Sequence, residues 1–282
     1  MDPRRSFRAI ARNLDIDELT VRNRLRRLHR MGFLKGWRMF VNPALLGVDL
    51  VQVLIEYRSS SREQLIEELR ESPAITVIVE HLGKSMWVAF ACEKNQSSDS
   101  EVKLIEELAG AKTSALFRIR FPNSDLKLSR TDVDIIKSLS RDPRKPYSDA
   151  AKELGLSSRT VRRRLGGLVE GKAIFVIPSM DPSALEGALL ADLLVEYSGG
   201  EDRTIVNQEI LSKLDDFLIR SQLGDPGYGF FNLFITKISA VHEIRRIVRS
   251  IKGVKDARID LVQERLEFFD HLFRYVERLE RS

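Results

Sequence analysis

Cys92 is the only cysteine in 282 residues. An internal disulfide and a cysteine-based metal cluster are therefore excluded, and a reducing cytoplasm is the natural compartment. Histidine is almost as scarce: His29, His81, His242 and His271 are scattered and show none of the usual zinc spacings. No run of 18 or more apolar residues exists, and the opening MDPRRSFRAIARN has no apolar signal segment, which argues against membrane and secreted proteins. Catalytic signatures are missing too. GDPGYG (Gly224–Gly229) matches a phosphate loop only in glycine count, has the wrong spacing and lacks the lysine. Glu67-Glu68 and Glu106-Glu107 fall on amphipathic helices as solvated faces. No catalytic residue, metal or cofactor is expected, and the chain reads as a non-enzyme.

What is present is length and segregated charge. The chain is long enough for two or more domains with separate cores. Residues 1–38 hold eleven Lys/Arg against four Asp/Glu, and residues 126–178 hold twelve against six. These segments carry +7 and +6, so within a net charge of +5 everything else sums to −8. Two basic segments in an otherwise acidic chain point to two surfaces for polyanions.

Those segments are copies. Shifting the sequence by 140 aligns Asp2–Leu28 with Asp142–Leu168 without a gap, with eleven of 27 positions identical. Each copy reads as helix, short turn, helix. In the second, YSDAAKELG is a helix with Ser148 as its expected N-cap, Gly155 makes the turn, and Ser157 or Ser158 caps the next helix. Asp15 takes the turn position in the first copy. A basic second helix after such a turn is the helix-turn-helix pattern, in which that helix enters the major groove of DNA. Val21, Leu25 and Leu28 face inward. Thr20, Arg22, Asn23, Arg26 and Arg27 face outward, with Arg24 and Arg30 on the flanks nearer phosphates. Arg159, Thr160, Arg162 and Arg163 are the DNA-binding candidates in the second copy. After each basic helix, an alternating stretch (Gly32–Gly47 and Gly171–Gly187) predicts a small two-stranded wing carrying Arg38, with Trp37 as a packing residue.

Helix-turn-helix, glycine, wing, an Asx-Pro exit and then a strand such as VQVLIEY (Val51–Tyr57), in that order and twice over, resemble the Lrp/AsnC, or feast/famine, transcription regulators. Downstream of each wing the pattern is strand-helix-strand-strand-helix-strand, the ferredoxin-like arrangement. It covers 50–121 in the first copy and 188–262 in the second, with LIEYRSS matching LVEYSGG. The expected fold is α+β: two tandem units, each a winged helix-turn-helix followed by a ferredoxin-like effector and oligomerisation domain, plus a C-terminal helix. The expected boundaries are 1–46 for the first winged helix-turn-helix, without its first helix, and 47–123 for the first ferredoxin-like domain. The second copy follows at 124–186 and 187–262, and the C-terminal helix at 263–282.

The resemblance implies a cytoplasmic prokaryotic, archaeal, regulator that binds double-stranded DNA sequence-specifically, forms a homodimer and responds to an amino-acid-like small molecule. The implied effector loop joins the two central strands and corresponds here to His81, Gly83, Gly224 and Asp225. The first copy lacks an aspartate after its glycine, and Asp225 is followed by an inserted proline and glycine. Two alternatives remain on the same residues: an enzyme similar to the siroheme decarboxylases, which also combine two such units, and an architectural protein that binds DNA without sequence preference.

Two asymmetries close the reading. Gly166, Gly167 and Glu170 stand where the first copy has Arg26, Arg27 and Arg30, so Arg22, Arg26 and Arg27 are expected to dominate specificity while Arg162 and Arg163 steer. The helix expected at Leu126–Arg141, with Leu128, Ile135, Ile136 and Leu139 inward, has no counterpart before the first copy. The apolar terminal segment Val262–Ser282 is expected to cover the face this leaves open.

Overall fold

The computed structural model describes residues 6–58, 61–119, 121–184, 186–215, 217–225 and 227–279. Asp2, Pro3 and Arg4 of the repeat lie outside them. The first copy runs α1 (Phe7–Asn13), α2 (Glu18–Arg30), β1 (Leu34–Val41), β2 (Val48–Glu56), α3 (Arg62–Glu71), β3 (Ile75–His81), β4 (Ser85–Glu93), α4 (Asp99–Ala109) and β5 (Thr113–Ile119). The second opens with an additional helix, α5 (Arg130–Leu139). It continues as α6 (Tyr147–Leu154), α7 (Ser158–Glu170), β6 (Ile174–Met180), β7 (Leu189–Tyr197), α8 (Arg203–Lys213), β8 (Leu218–Asp225), β9 (Tyr228–Ile235), α9 (Ser239–Arg249) and β10 (Val254–Glu267). A 3₁₀ turn over Phe269–Leu272 leads into α10 (Phe273–Leu279). No helix among the described residues is long and apolar enough to cross a membrane.

The chain forms two compact units, each interleaving both copies: 1–48, 121–184 and 269–282 make the first, and 49–120 with 185–268 the second. The first unit holds both helix-turn-helix elements. Gly155 (φ +65°) and Asp15 (φ +51°) both take the left-handed turn conformation; the aspartate does so at a conformational cost glycine avoids. α6 starts two residues earlier than its serine suggested. Pro146 is the N-cap, and the Ser148 hydroxyl donates to Asp149 instead.

The wings differ from the expectation. Neither copy makes a hairpin of its own; β1 and β6 pair with each other, antiparallel, from Leu34 opposite Met180 to Val41 opposite Ile174. A lone strand leaves its backbone groups unpaired, and the duplicated copy supplies the partner. Asn42, fully buried, ties the copies together: its Nδ2 donates to the carbonyls of Pro122 and Lys172, each at 2.8 Å, while its Oδ1 accepts from Ala44 N.

α5 supplies Val133, Ile135, Ile136 and Leu139 to the core of this unit, all buried; Leu128 is only half-buried and precedes the helix. Beneath α5, Leu165 and Leu168 of α7 are buried, whereas their counterparts Leu25 and Leu28 on α2 are half-buried. The terminal segment begins as strand rather than helix, because β10 continues to Glu267 with Leu266 opposite Ile78. Beyond it, Leu272, Tyr275 and Val276 are buried. Phe269 stacks on Phe40 of β1, and Asp270 and Glu277 pair with Arg141 and Lys137 at 3.0 and 3.4 Å. The segment thus packs on β1 and the end of α5.

The second unit is a closed eight-stranded barrel in the order β10-β3-β4-β2-β5-β8-β9-β7. Each half has the ferredoxin-like order, and β10–β3 and β5–β8 join the halves. The alternation along each strand serves two faces: Val51, Val53 and Ile55 pack with α3 and α4, and Leu193, Val195 and Leu233 with α8 and α9.

Candidate nucleic-acid interface

α2 and α7 are anchored at their N-termini by side chains that the local sequence supplies. Asp17 Oδ1 accepts from Thr20 N at 2.7 Å, and Ser157 Oγ accepts from Thr160 N at 3.0 Å. The hydrogen bond from the Thr20 hydroxyl, with that from its backbone, holds the Asp17 carboxyl below the ordinary aspartate range. Thr20 and Thr160 therefore work as partners of their own caps, each with a hydroxyl in hydrogen-bond contact with the capping side chain.

Val21 and Val161 are buried, and the opposite faces are open. Asn23, Arg24, Arg26, Arg27 and Arg30 on α2 are all exposed, as are Arg159, Arg162 and Arg163 on α7 and Arg38 on β1. Arg22 is exposed but occupied. Its guanidinium pairs with Glu18 at 2.6 Å and lies 4.8 Å from the centre of the Phe7 ring. This i,i+4 acid–base pair is plain in the sequence. In the second copy Ser158 stands in place of Glu18, and among the described residues no such pair holds Arg162.

A second difference comes from α5. Arg164 donates to Asp132 Oδ1 and Ser129 Oγ, both at 3.0 Å. Ser129 and Asp132 also form a reciprocal capping box at the start of α5. Burial pushes the Asp132 carboxyl up, but hydrogen bonds from Ser129 and Arg164 outweigh it and leave the group below its usual value. The counterpart of Arg164 is Arg24, which makes no ion pair among the described residues. Arg144, just before α6, crosses to the first copy, 5.7 Å from the Phe7 ring centre and 5.1 Å from that of Trp37. Trp37 is half-buried in this contact, a packing role.

The residues assigned to an effector loop lie on two elements of the second unit, His81 and Gly83 at the end of β3 and its turn, Gly224 and Asp225 on β8. Gly83 (φ +108°) makes the tight β3–β4 turn. Gly224 lies within β8, where a Cβ would come within 2.3 Å of the Phe117 ring, and Gly227 (φ +68°) makes the β8–β9 turn instead. The Asp225 side chain and that of Gln222 lie outside the described residues. His81 is at the end of β3, fully buried: Nδ1 is 3.0 Å from Ser85 Oγ and Nε2 is 3.3 Å from Asp192 Oδ2. Asp192, contributed by β7 of the other copy, also accepts from Asn232 Nδ2 at 2.7 Å. Nothing in the sequence around Asp192 marks it, because its partner lies 111 residues away.

A profile of the AsnC-type helix-turn-helix domain matches residues 128–168, the second helix-turn-helix with α5. The HTH-type transcriptional regulator Ptr1 of Methanocaldococcus jannaschii is 36% identical over 96 residues, 34% of this chain and 65% of that protein, so the chain spans just under two thirds of this relative's length. The HTH-type transcriptional regulator LrpA of Pyrococcus abyssi is 30% identical over 95 residues, 33% of this chain and 67% of that protein. Among solved structures, the siroheme decarboxylase NirDL, in co-complex with an iron-uroporphyrin III analogue, is similar in fold over 98% of this chain and 92% of its own, with a TM-score of 0.58 at 14% identity. With its α+β architecture of duplicated helix-turn-helix and ferredoxin-like elements, the chain belongs to the Lrp/AsnC family.

Proposed function

We propose that this protein is a cytoplasmic, sequence-specific DNA-binding transcription regulator in which a single chain presents two recognition helices. The observation that carries the reading is the joint exposure of Arg24, Arg26, Arg27 and Arg30 on α2 and of Arg159, Arg162 and Arg163 on α7, both helices belonging to one compact unit. Phosphate contacts from such side chains supply affinity and orientation, and the groove-facing residues supply specificity. Selection of bound fragments from a random DNA pool by the full chain tests it. Enrichment of one motif supports the regulator. Binding without enrichment supports an architectural protein instead.

The barrel already pairs the sheets of both copies within the chain, so a homodimer, which the family resemblance implies, would associate through other surfaces. Light scattering at micromolar concentration distinguishes it from a monomer. An amino-acid-like effector is tested by whether added amino acids shift the affinity for the selected fragment.

A siroheme-decarboxylase-like enzyme is the second reading, favoured by the fold likeness to NirDL over nearly the whole chain. Against it stands His81, at the end of β3, which is sealed from solvent with both ring nitrogens engaged. Absence of a protein-bound absorption band after adding an iron tetrapyrrole removes this reading.

A further inference from the structure

On α2 the stripe opposite Val21, Leu25 and Leu28 runs Leu19, Asn23, Arg26, Arg30; on α7 the same positions are Arg159, Arg163, Gly166, Glu170. Both stripes face solvent except at the half-buried Gly166, and Leu19 is 62% exposed, unusual for a leucine on a helix start. The two helices therefore carry their charge at opposite ends. α2 opens with an apolar side chain and an amide and ends in cations; α7 opens with cations and ends in glycine and an anion.

In helix-turn-helix proteins the first turns of the recognition helix reach base edges, and later turns approach the backbone. Arginine matches guanine O6 and N7 bidentately, asparagine matches adenine N6 and N7, and an apolar side chain fits against the thymine methyl. We infer that the two helices divide recognition: Arg159 and Arg163 read guanine in one half-site, Asn23 and Leu19 read an A·T pair in the other, and Arg26 and Arg30 grip phosphates. This rests on the regulator reading and gives it an asymmetric DNA partner. It also reverses the ranking expected from arginine content, in which Arg22, Arg26 and Arg27 led. Arg22 is held by Glu18 and Phe7. The later turns of α7 present no cation on this stripe: Gly166 carries no side chain, a Cβ there or at Gly167 would meet nothing within 4 Å, and Glu170 repels phosphate.

The test repeats the pool selection with the full chain and its variants, and measures affinity for selected and random fragments across salt concentrations. The wild-type motif should have unequal halves, one with guanine and one with A·T. R159A/R163A should erase the guanine preference and weaken binding to the selected fragment by about 5- to 150-fold per lost contact, with a smaller change on random DNA. R159K/R163K keeps the charge but not the planar fork, so it should lose the same preference with the salt slope nearly intact. L19A/N23A should relax the A·T half alone. R26A/R30A should weaken both fragments alike and reduce the slope of log K against log salt by about 1.8. A motif with two equal halves, or a changed base preference with an unaltered slope in R26A/R30A, overturns the division. Failure to enrich any motif removes the regulator reading itself, whereas a symmetric motif leaves that reading standing and removes only this one.

Discussion

Phe40 of β1 and Phe269 of the terminal segment stack with ring centroids 4.5 Å apart and planes 9° apart. Phe175 of β6 and Phe121 complete the cluster around Phe40. The terminal segment thus seals the sheet that joins the two helix-turn-helix elements. Phe269→Ala should destabilise the first unit by about 2–3 kcal/mol, less than a fully buried phenylalanine because Phe269 is half-exposed. Removing residues 269–282 should lower amide protection across 34–41 and 174–180 while the barrel stays protected. The deletion begins at 269 because Leu266 and Glu267 still pair with β3. Unchanged protection of β1 after the deletion would mean the segment is ornamental there.

Asp132 tests the role of α5. Asp132→Asn weakens the reciprocal capping box and leaves Arg164 without its carboxylate, which should cost about 1–2 kcal/mol in denaturant unfolding. Arg24→Ala, at the position that matches Arg164 but has no such carboxylate partner, should change stability by no more than about 0.5 kcal/mol. The Asp132 pKa is depressed in the folded state, so its contribution is present above the unfolded value of 3.8 and is lost as pH falls through the lower, folded value. Equal losses for the two substitutions would refute the contrast.

Glu80 works in the opposite sense. Its side chain is buried, one oxygen receives the Arg62 guanidinium at 3.0 Å, and the other has no hydrogen-bond partner among the described residues. Burial raises its pKa from 4.5 more than Arg62 lowers it, and Glu264, its cross-strand neighbour on β10, adds to the rise. A folded-state pKa above the unfolded one means the folded protein holds the extra proton. The stabilisation is therefore full below pH 4.5 and disappears as pH climbs past the raised value. Glu80→Gln should leave Tm nearly unchanged at pH 4 and raise it at pH 7.5. A fall in Tm at both pH values would contradict this assignment.

His81 and Asp192 cross-link the two copies inside the barrel. His81→Ala strips a buried carboxylate of one partner, leaving Asn232, and should destabilise the second unit by about 2–4 kcal/mol. Amide exchange should show the loss in β3 and β7 and leave α2 and α7 unaffected. A loss spread evenly over both units would speak against a local cross-link.

Much of this architecture was legible from the repeat. Once Asp2–Leu28 is laid on Asp142–Leu168, helices, turns and the two strand-helix runs follow in order, and Asp15 and Gly155 fall where the chain needs a left-handed residue. Long-range pairing was not legible. The alternation in LKGWRMFV suits a hairpin within one copy as well as pairing with a strand 140 residues away, and only the assembled core decides. The end of β10, at Glu267, was not legible for a related reason. Val262, Leu266 and Phe269 fit a helical stripe, yet Leu266 and Phe268 pack on the first ferredoxin-like core as an extended strand. At the interface, the exposed arginines were evident, but not which were already engaged. The Arg22–Glu18 spacing signalled one such case; Arg164–Asp132 needed α5 in place.

Hydroxyl-radical footprinting of the full chain on a fragment carrying its selected motif, in excess competitor DNA, bears most directly on the claim that one chain reads one specific site with two recognition helices. Protection should stay confined to the motif and fall in two patches separated by about one helical turn, 10–10.5 base pairs. Protection that spreads along the fragment, or vanishes as competitor rises, would contradict it.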